Sequence, residues 1–132
     1  MVRPTERELE VLEVLWRLGP STVREVVDAL DGGHGAGYTS WQKIMTIMLE
    51  KGLVSRTAAG RGHRYAARVA QGEVRRRLAG ELLERVFGGS VAALVQSALA
   101  TRPASAAELR EVEELLEQAA AGEAGADAGE EA

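Results

Sequence analysis

The chain has 132 residues, a formal net charge of −4 and an apolar share of 45%, enough for a packed core in one or two small domains. It has no cysteine, which excludes disulfides, thiolate metal sites and a catalytic thiol. No apolar run approaches the ~20 residues that span a bilayer, and MVRPTERELE lacks the apolar stretch of a signal peptide, so the sequence predicts a cytoplasmic protein.

The first predicted helix opens at Thr5, which with Glu8 forms a capping box, each side chain satisfying a free backbone N–H. Leu9, Leu12 and Trp16 recur at helical spacing, Val11 and Leu15 widen the stripe, and Gly19-Pro20 ends it. Thr22 and Glu25 open a second helix with Val23, Val26, Val27 and Leu30 as its stripe. Asp31 to Gly37 is rich in glycine and reads as a flexible loop, with His34 on its surface. A third helix is expected from Thr39 to Gly52. Trp41, Ile44, Met45 and Met48 form its buried stripe, while Ser40, Gln42, Lys43, Thr46, Ile47 and Glu50 face outward. Leu53–Thr57 and His63–Ala67 then read as two strands joined through Ala58–Gly62. Three helices followed by a β-hairpin is the order of a winged helix-turn-helix.

Helical period returns from Gln71 to Phe87, with Val74, Leu78, Leu82 and Val86 on one side. Gly88-Gly89-Ser90 breaks it, Val91–Ala100 is nearly uncharged, and Thr101-Arg102-Pro103 breaks the chain again. Ser105 with Glu108 caps a last helix carrying Leu109, Val112, Leu115 and Leu116. The predicted organisation is mainly α. A winged-helix DNA-binding domain spans 1–70, a helical dimerisation domain 71–118, and an acidic disordered tail 119–132.

Charge is unevenly placed. Residues 32–72 carry six basic side chains against Glu50 alone, whereas 1–31 carry four basic and seven acidic ones. A cationic block in an acidic chain suggests a polyanion-binding face, against the plainer reading of a solvated surface. GRGHRY, residues 60–65, would be the wing lying against a DNA backbone, with Arg61 and Arg64 meeting phosphates and Tyr65 packing inward. His63 either contacts DNA or solvates the wing. On the third helix, Gln42 suits adenine, Lys43 suits guanine, and the hydroxyls of Thr39, Ser40 and Thr46 suit bases or phosphates. Ile47 either touches a thymine methyl or packs on a neighbouring helix, and Trp41 reads as core. Thr22 caps its helix, a role compatible with phosphate binding there.

TERELEVLEVLW, STVREVVDAL, YTSWQKIMTIMLEKGLV and GRGHRYAARV stand in an order and spacing that resembles the penicillinase-repressor family of bacteria (BlaI/MecI/CopY). LLERVFGGSVAALVQ followed by ELREVEELLEQ is similar to its C-terminal dimerisation part. The resemblance implies a homodimeric repressor bound to a pseudo-palindromic operator. It places Thr39, Ser40, Lys43 and Thr46 at recognition-helix positions and Arg61 to Arg64 on the wing. The chain departs from the family pattern at Ser40-Trp41, Lys43 and Ile47, which implies a different operator. The family's protease-induced members are cut at an Asn-Phe bond, and the matching position here is Ser97-Ala98.

The expected partners are double-stranded DNA, a second copy of the chain, and an inducing protease or small effector of unidentified kind. No cofactor and no metal are expected. Val74, Leu78, Leu82, Val86, Leu94, Leu109, Val112 and Leu116 are the expected dimerisation residues, because their stripes have no large core of their own. A closed helical subdomain in a monomer is the alternative. For the whole chain, the rival is a winged helix used as a protein-interaction module. No constellation for catalysis is present, and the basic residues do not lie along one amphipathic helix as membrane binding would need.

Overall fold

The computed structural model describes residues 2–30 and 37–131. The glycine-rich segment 31–36, with His34, lies outside the described residues. The chain divides into two units, 1–80 and 81–132.

The first unit is built from α1 (Glu6–Leu18), β1 (Ser21–Thr22), α2 (Val23–Ala29), α3 (Tyr38–Lys51), β2 (Val54–Ala59) and β3 (Gly62–Ala67), and it includes the start of α4 (Gln71–Arg85). Both expected capping boxes form. Thr5 Oγ1 accepts from the Glu8 amide and Glu8 Oε1 from the Thr5 amide. Thr22 and Glu25 repeat the exchange on α2. The third helix begins one residue earlier than expected, at Tyr38. Gly37 is its cap and no side chain caps it, and Thr39 lies within the first turn.

Apolar periodicity becomes the core. Val11, Leu12, Val14 and Leu15 of α1 and Val23 and Val26 of α2 close around Trp41, Met45 and Met48 of α3. Leu53, Val54 and Tyr65 seal the sheet side. The sheet has three antiparallel strands in the order β1-β3-β2. The two-residue β1 was not legible as a strand, since its partner lies more than 40 residues away, with Ser21 opposite Tyr65 and Thr22 opposite Arg64. The hairpin is tighter than the sequence suggests. Its strands run to Ala59 and from Gly62, leaving Gly60-Arg61 as the whole connection. Gly60 has φ of +61°, which a turn with a left-handed first position requires of glycine.

The start of α4 corrects one expectation. Val74 is fully buried within the first unit and has no surface to offer a partner. The chain reaches α4 across the end of α1, where the Trp16 indole N–H donates to the Val69 carbonyl at 2.9 Å. The first unit therefore extends to Gly80 rather than to residue 70.

The second unit holds the end of α4, α5 (Val91–Thr101) and α6 (Ala106–Glu131). Ser90 caps α5 through its hydroxyl, which accepts from the Ala93 amide, and Ser105 accepts likewise from Glu108. From residue 119, where an unstructured tail is expected, the chain instead stays in α6. Alanine, which dominates 119–121, has the highest helix propensity of any residue. No residue from 81 to 123 is buried, and Leu82, Val86, Val91, Leu99, Leu109, Leu115 and Leu116 are exposed. Among the described residues no helix is long and apolar enough to cross a membrane.

Candidate nucleic-acid interface

Helix α3 has two chemically distinct faces because its apolar residues recur at helical spacing. Trp41, Met45 and Met48 are almost entirely inaccessible, which fixes the helix to α1 and α2. Thr39, Ser40, Gln42, Lys43 and Thr46 are all exposed on the remaining surface. The first turn carries no acid. Thr46 Oγ1 donates to the Gln42 carbonyl at 2.9 Å, so its proton is committed while its lone pairs stay open. Ile47 is 37% exposed on the same surface.

The far end of α3 is held by a contact that sequence reasoning missed. Lys51 Nζ lies 2.9 Å from both oxygens of Glu8. Glu8 is 97% shielded, with 3% of its surface accessible. Burial opposes its ionisation, but the Thr5 amide and the Lys51 ammonium outweigh that and hold its carboxyl below the ordinary 4.5. Lys51 thus belongs to the scaffold, not to a surface cationic face. Its pairing was not foreseeable, because 43 residues separate the partners.

On the wing, alternation along β3 sends Tyr65 inward and Arg64 to the opposite face. Tyr65 is 3% exposed, as expected. Arg64 sits opposite Thr22 and is drawn toward α2. Its Nη1 donates to Glu25 Oε1 at 3.3 Å and weakly to the Pro20 carbonyl at 3.4 Å. Both side chains of this ion pair are about half exposed, so the contact is weak and water competes for it.

The same Glu25 oxygen accepts the Thr22 hydroxyl proton at 3.1 Å. The Thr22 amide and hydroxyl lower the Glu25 carboxyl against the opposing effect of desolvation, and nearby Arg64 adds to the lowering. Thr22 is therefore fully engaged in capping, and in this geometry its hydroxyl holds no proton for a phosphate. Arg61 stands at the tip of the hairpin and His63 beside it on β3, both exposed. Lys43, Arg56, Arg61 and Arg68 form no ion pair among the described residues.

The family model described as penicillinase repressor matches residues 4–118. The chain belongs to that family. Two curated relatives, both named transcriptional regulator BlaI and from two strains of Mycobacterium tuberculosis (CDC 1551 / Oshkosh and ATCC 25618 / H37Rv), are each 34% identical over 67 residues. That stretch is 50% of this chain and 49% of each relative, so the alignment spans about half the length of the proteins it matches. Among solved structures, the monomeric form of Bacillus licheniformis BlaI in complex with the blaP half-operator is similar at 21% identity and a TM-score of 0.48. It covers 55% of this chain and 88% of its own. A structure of the DNA-recognition and protein-interaction domains of HOP2 is similar at 18% identity and a TM-score of 0.41, covering 46% of this chain and 95% of its own.

For this penicillinase-repressor chain, the expected dimerisation residues divide by place. Val74 is internal, Leu78 is half-buried, and Leu82, Val86, Leu94, Leu109, Val112 and Leu116 are exposed or half-buried. Within the second unit, Leu82, Val86, Phe87 and Leu94 line one open apolar hollow, and Leu94, Val95, Leu99 and Val112 line another. Ser97 and Ala98 lie inside α5, and the Ser97 carbonyl accepts the Thr101 hydroxyl proton at 2.7 Å.

Proposed function

We propose that this chain is a homodimeric, DNA-binding transcriptional repressor that occupies a pseudo-palindromic operator and blocks transcription in the cytoplasm. One observation carries the reading. The exposed face of α3 offers Thr39, Ser40, Gln42, Lys43 and Thr46 with no acid in its first turn, on a helix anchored by Trp41, Met45 and Met48. That array supplies hydroxyl, amide and ammonium groups for base edges in a major groove. Arg61 at the hairpin tip supplies a backbone phosphate contact, and Arg64 joins it by exchanging Glu25 for a phosphate. His63 flanks them on the wing. Thr22 contributes chiefly by holding the start of α2. Membership of the penicillinase repressor family supports the same reading.

Dimerisation gives the second half-site. The unit from residue 81 has no buried residue up to 123 in a single chain. A second copy packed on Leu82, Val86, Leu94, Leu109, Val112 and Leu116 would provide the missing core. Two linked winged helices then gain effective concentration on paired half-sites about one or two DNA turns apart.

The test is selection from random duplexes followed by gel-shift measurement. A symmetric motif with fixed half-site spacing is expected. Arg61→Ala should weaken binding to all sequences and reduce the salt slope by about 0.9, the value of one phosphate contact. Lys43→Ala should relax preference at one base position. Recovery of no motif, with no binding at low salt, would overturn the reading in favour of a protein-interaction module. One feature favours that rival, namely that Lys51 and Arg64 of the basic block already have carboxylate partners within the chain.

A further inference from the structure

We propose that Arg24, held against the ring of Tyr38, is a further phosphate-binding residue of the DNA face, placed beside the reading turn of α3. The inference rests on the DNA-binding reading above and adds to it a cation outside the basic block at 32–72.

Arg24 is the second residue of α2 and Tyr38 the first of α3. The guanidinium carbon lies 4.7 Å from the Tyr38 ring centroid. Both side chains are exposed, Tyr38 by 37%. Asp28 stands four residues along the same helix, at the spacing where arginine and aspartate pair. Arg24 nevertheless makes no ion pair or hydrogen bond to it, nor to any other described residue. The contrast is Arg7, which lies 5.6 Å from the Trp41 ring but is also tied to Glu10 at 3.9 Å. Among the described residues, Arg24 therefore combines a ring contact that restricts its side chain with five uncommitted N–H donors.

That combination suits a phosphate. A ring-held guanidinium keeps its donor edge open for two parallel bonds to phosphate oxygens, and less rotamer freedom remains to be lost on binding. Its position is apt, because Tyr38 precedes Gln42 by one helical turn and Thr39 and Ser40 follow it directly. A phosphate contact there would fix the register in which those side chains meet base edges.

The experiment titrates the full-length chain with a mixed-sequence duplex about three helical turns long, read by fluorescence anisotropy across a salt series. Arg24→Ala should reduce the salt slope by about 0.9, so its affinity loss between 50 and 200 mM salt is about 3.5-fold smaller than that of the parent chain. Arg24→Lys should keep the slope but bind more weakly, since lysine keeps the charge and loses the fork. Tyr38→Phe should match the parent, whereas Tyr38→Leu should weaken binding at unchanged slope. Thermal melts establish that each variant is folded. A folded Arg24→Ala variant with the parental slope overturns the inference while leaving the DNA-binding reading intact. A parent chain that shows no salt-dependent binding overturns both.

Discussion

Replacing Lys51 by alanine tests the anchor of the reading helix. The substitution leaves the Glu8 carboxylate buried without its cation. Removing one partner of a buried ion pair costs about 3–5 kcal/mol. Here the figure should fall lower. The Lys51 side chain is 29% accessible against 4% for Glu8, and the Thr5 amide still serves Glu8 Oε1 at 2.9 Å. An expected loss of about 2–3 kcal/mol follows. For a unit of this size each kcal/mol moves Tm by roughly 4–8 °C, so a fall of about 10–20 °C is expected in a circular-dichroism melt. The pair Glu8→Gln with Lys51→Met should recover most of the loss, because glutamine still accepts from the Thr5 amide and no charge stays buried. A Lys51→Ala variant melting within about 4 °C of the parent would refute the reasoning, since Glu8 would then be hydrated rather than dependent on Lys51.

Other consequences can be measured separately. The depressed Glu8 carboxyl contributes stability above its ordinary pKa of 4.5, and this is lost as pH falls through the lower folded value. Denaturant titrations across that range should show a smaller acid loss in Glu8→Gln than in the parent. Val74→Ala should destabilise the first unit by about 1–3 kcal/mol in chemical denaturation, with the sedimentation behaviour of the parent retained. Introducing glutamate at both Leu82 and Val86 should yield folded monomers in sedimentation equilibrium, and a surviving dimer would place the self-association surface elsewhere. Gly60→Val forces a branched residue to the +61° φ of the wing turn. It should cost about 1–2 kcal/mol and speed hydrogen exchange of the β2 and β3 amides.

What the sequence by itself determined was the short-range order of this protein. Thr5–Glu8 and Thr22–Glu25 act across three residues, and the α3 stripe of Trp41, Met45 and Met48 repeats within two turns. The starts of α1 and α2, the buried face of α3 and the exposure of Ser40, Gln42 and Lys43 follow from spacing alone, because neighbours on a helix are neighbours in sequence. The exact start of α3 escaped, since glycine caps without a side-chain bond.

Only the tertiary structure decided which charges stay available. Lys51 and Glu8 meet across 43 residues and Arg64 and Glu25 across 39, so two members of the basic block find carboxylates that no local pattern announces. The same holds for Ser21 and Thr22, which become a strand because β3 arrives beside them. It holds for Val74 too, whose place in a helical stripe matched its exposed neighbours until the fold enclosed it. Burial and ion pairing depend on what folding brings close in space, and a linear pattern records only what is close along the chain.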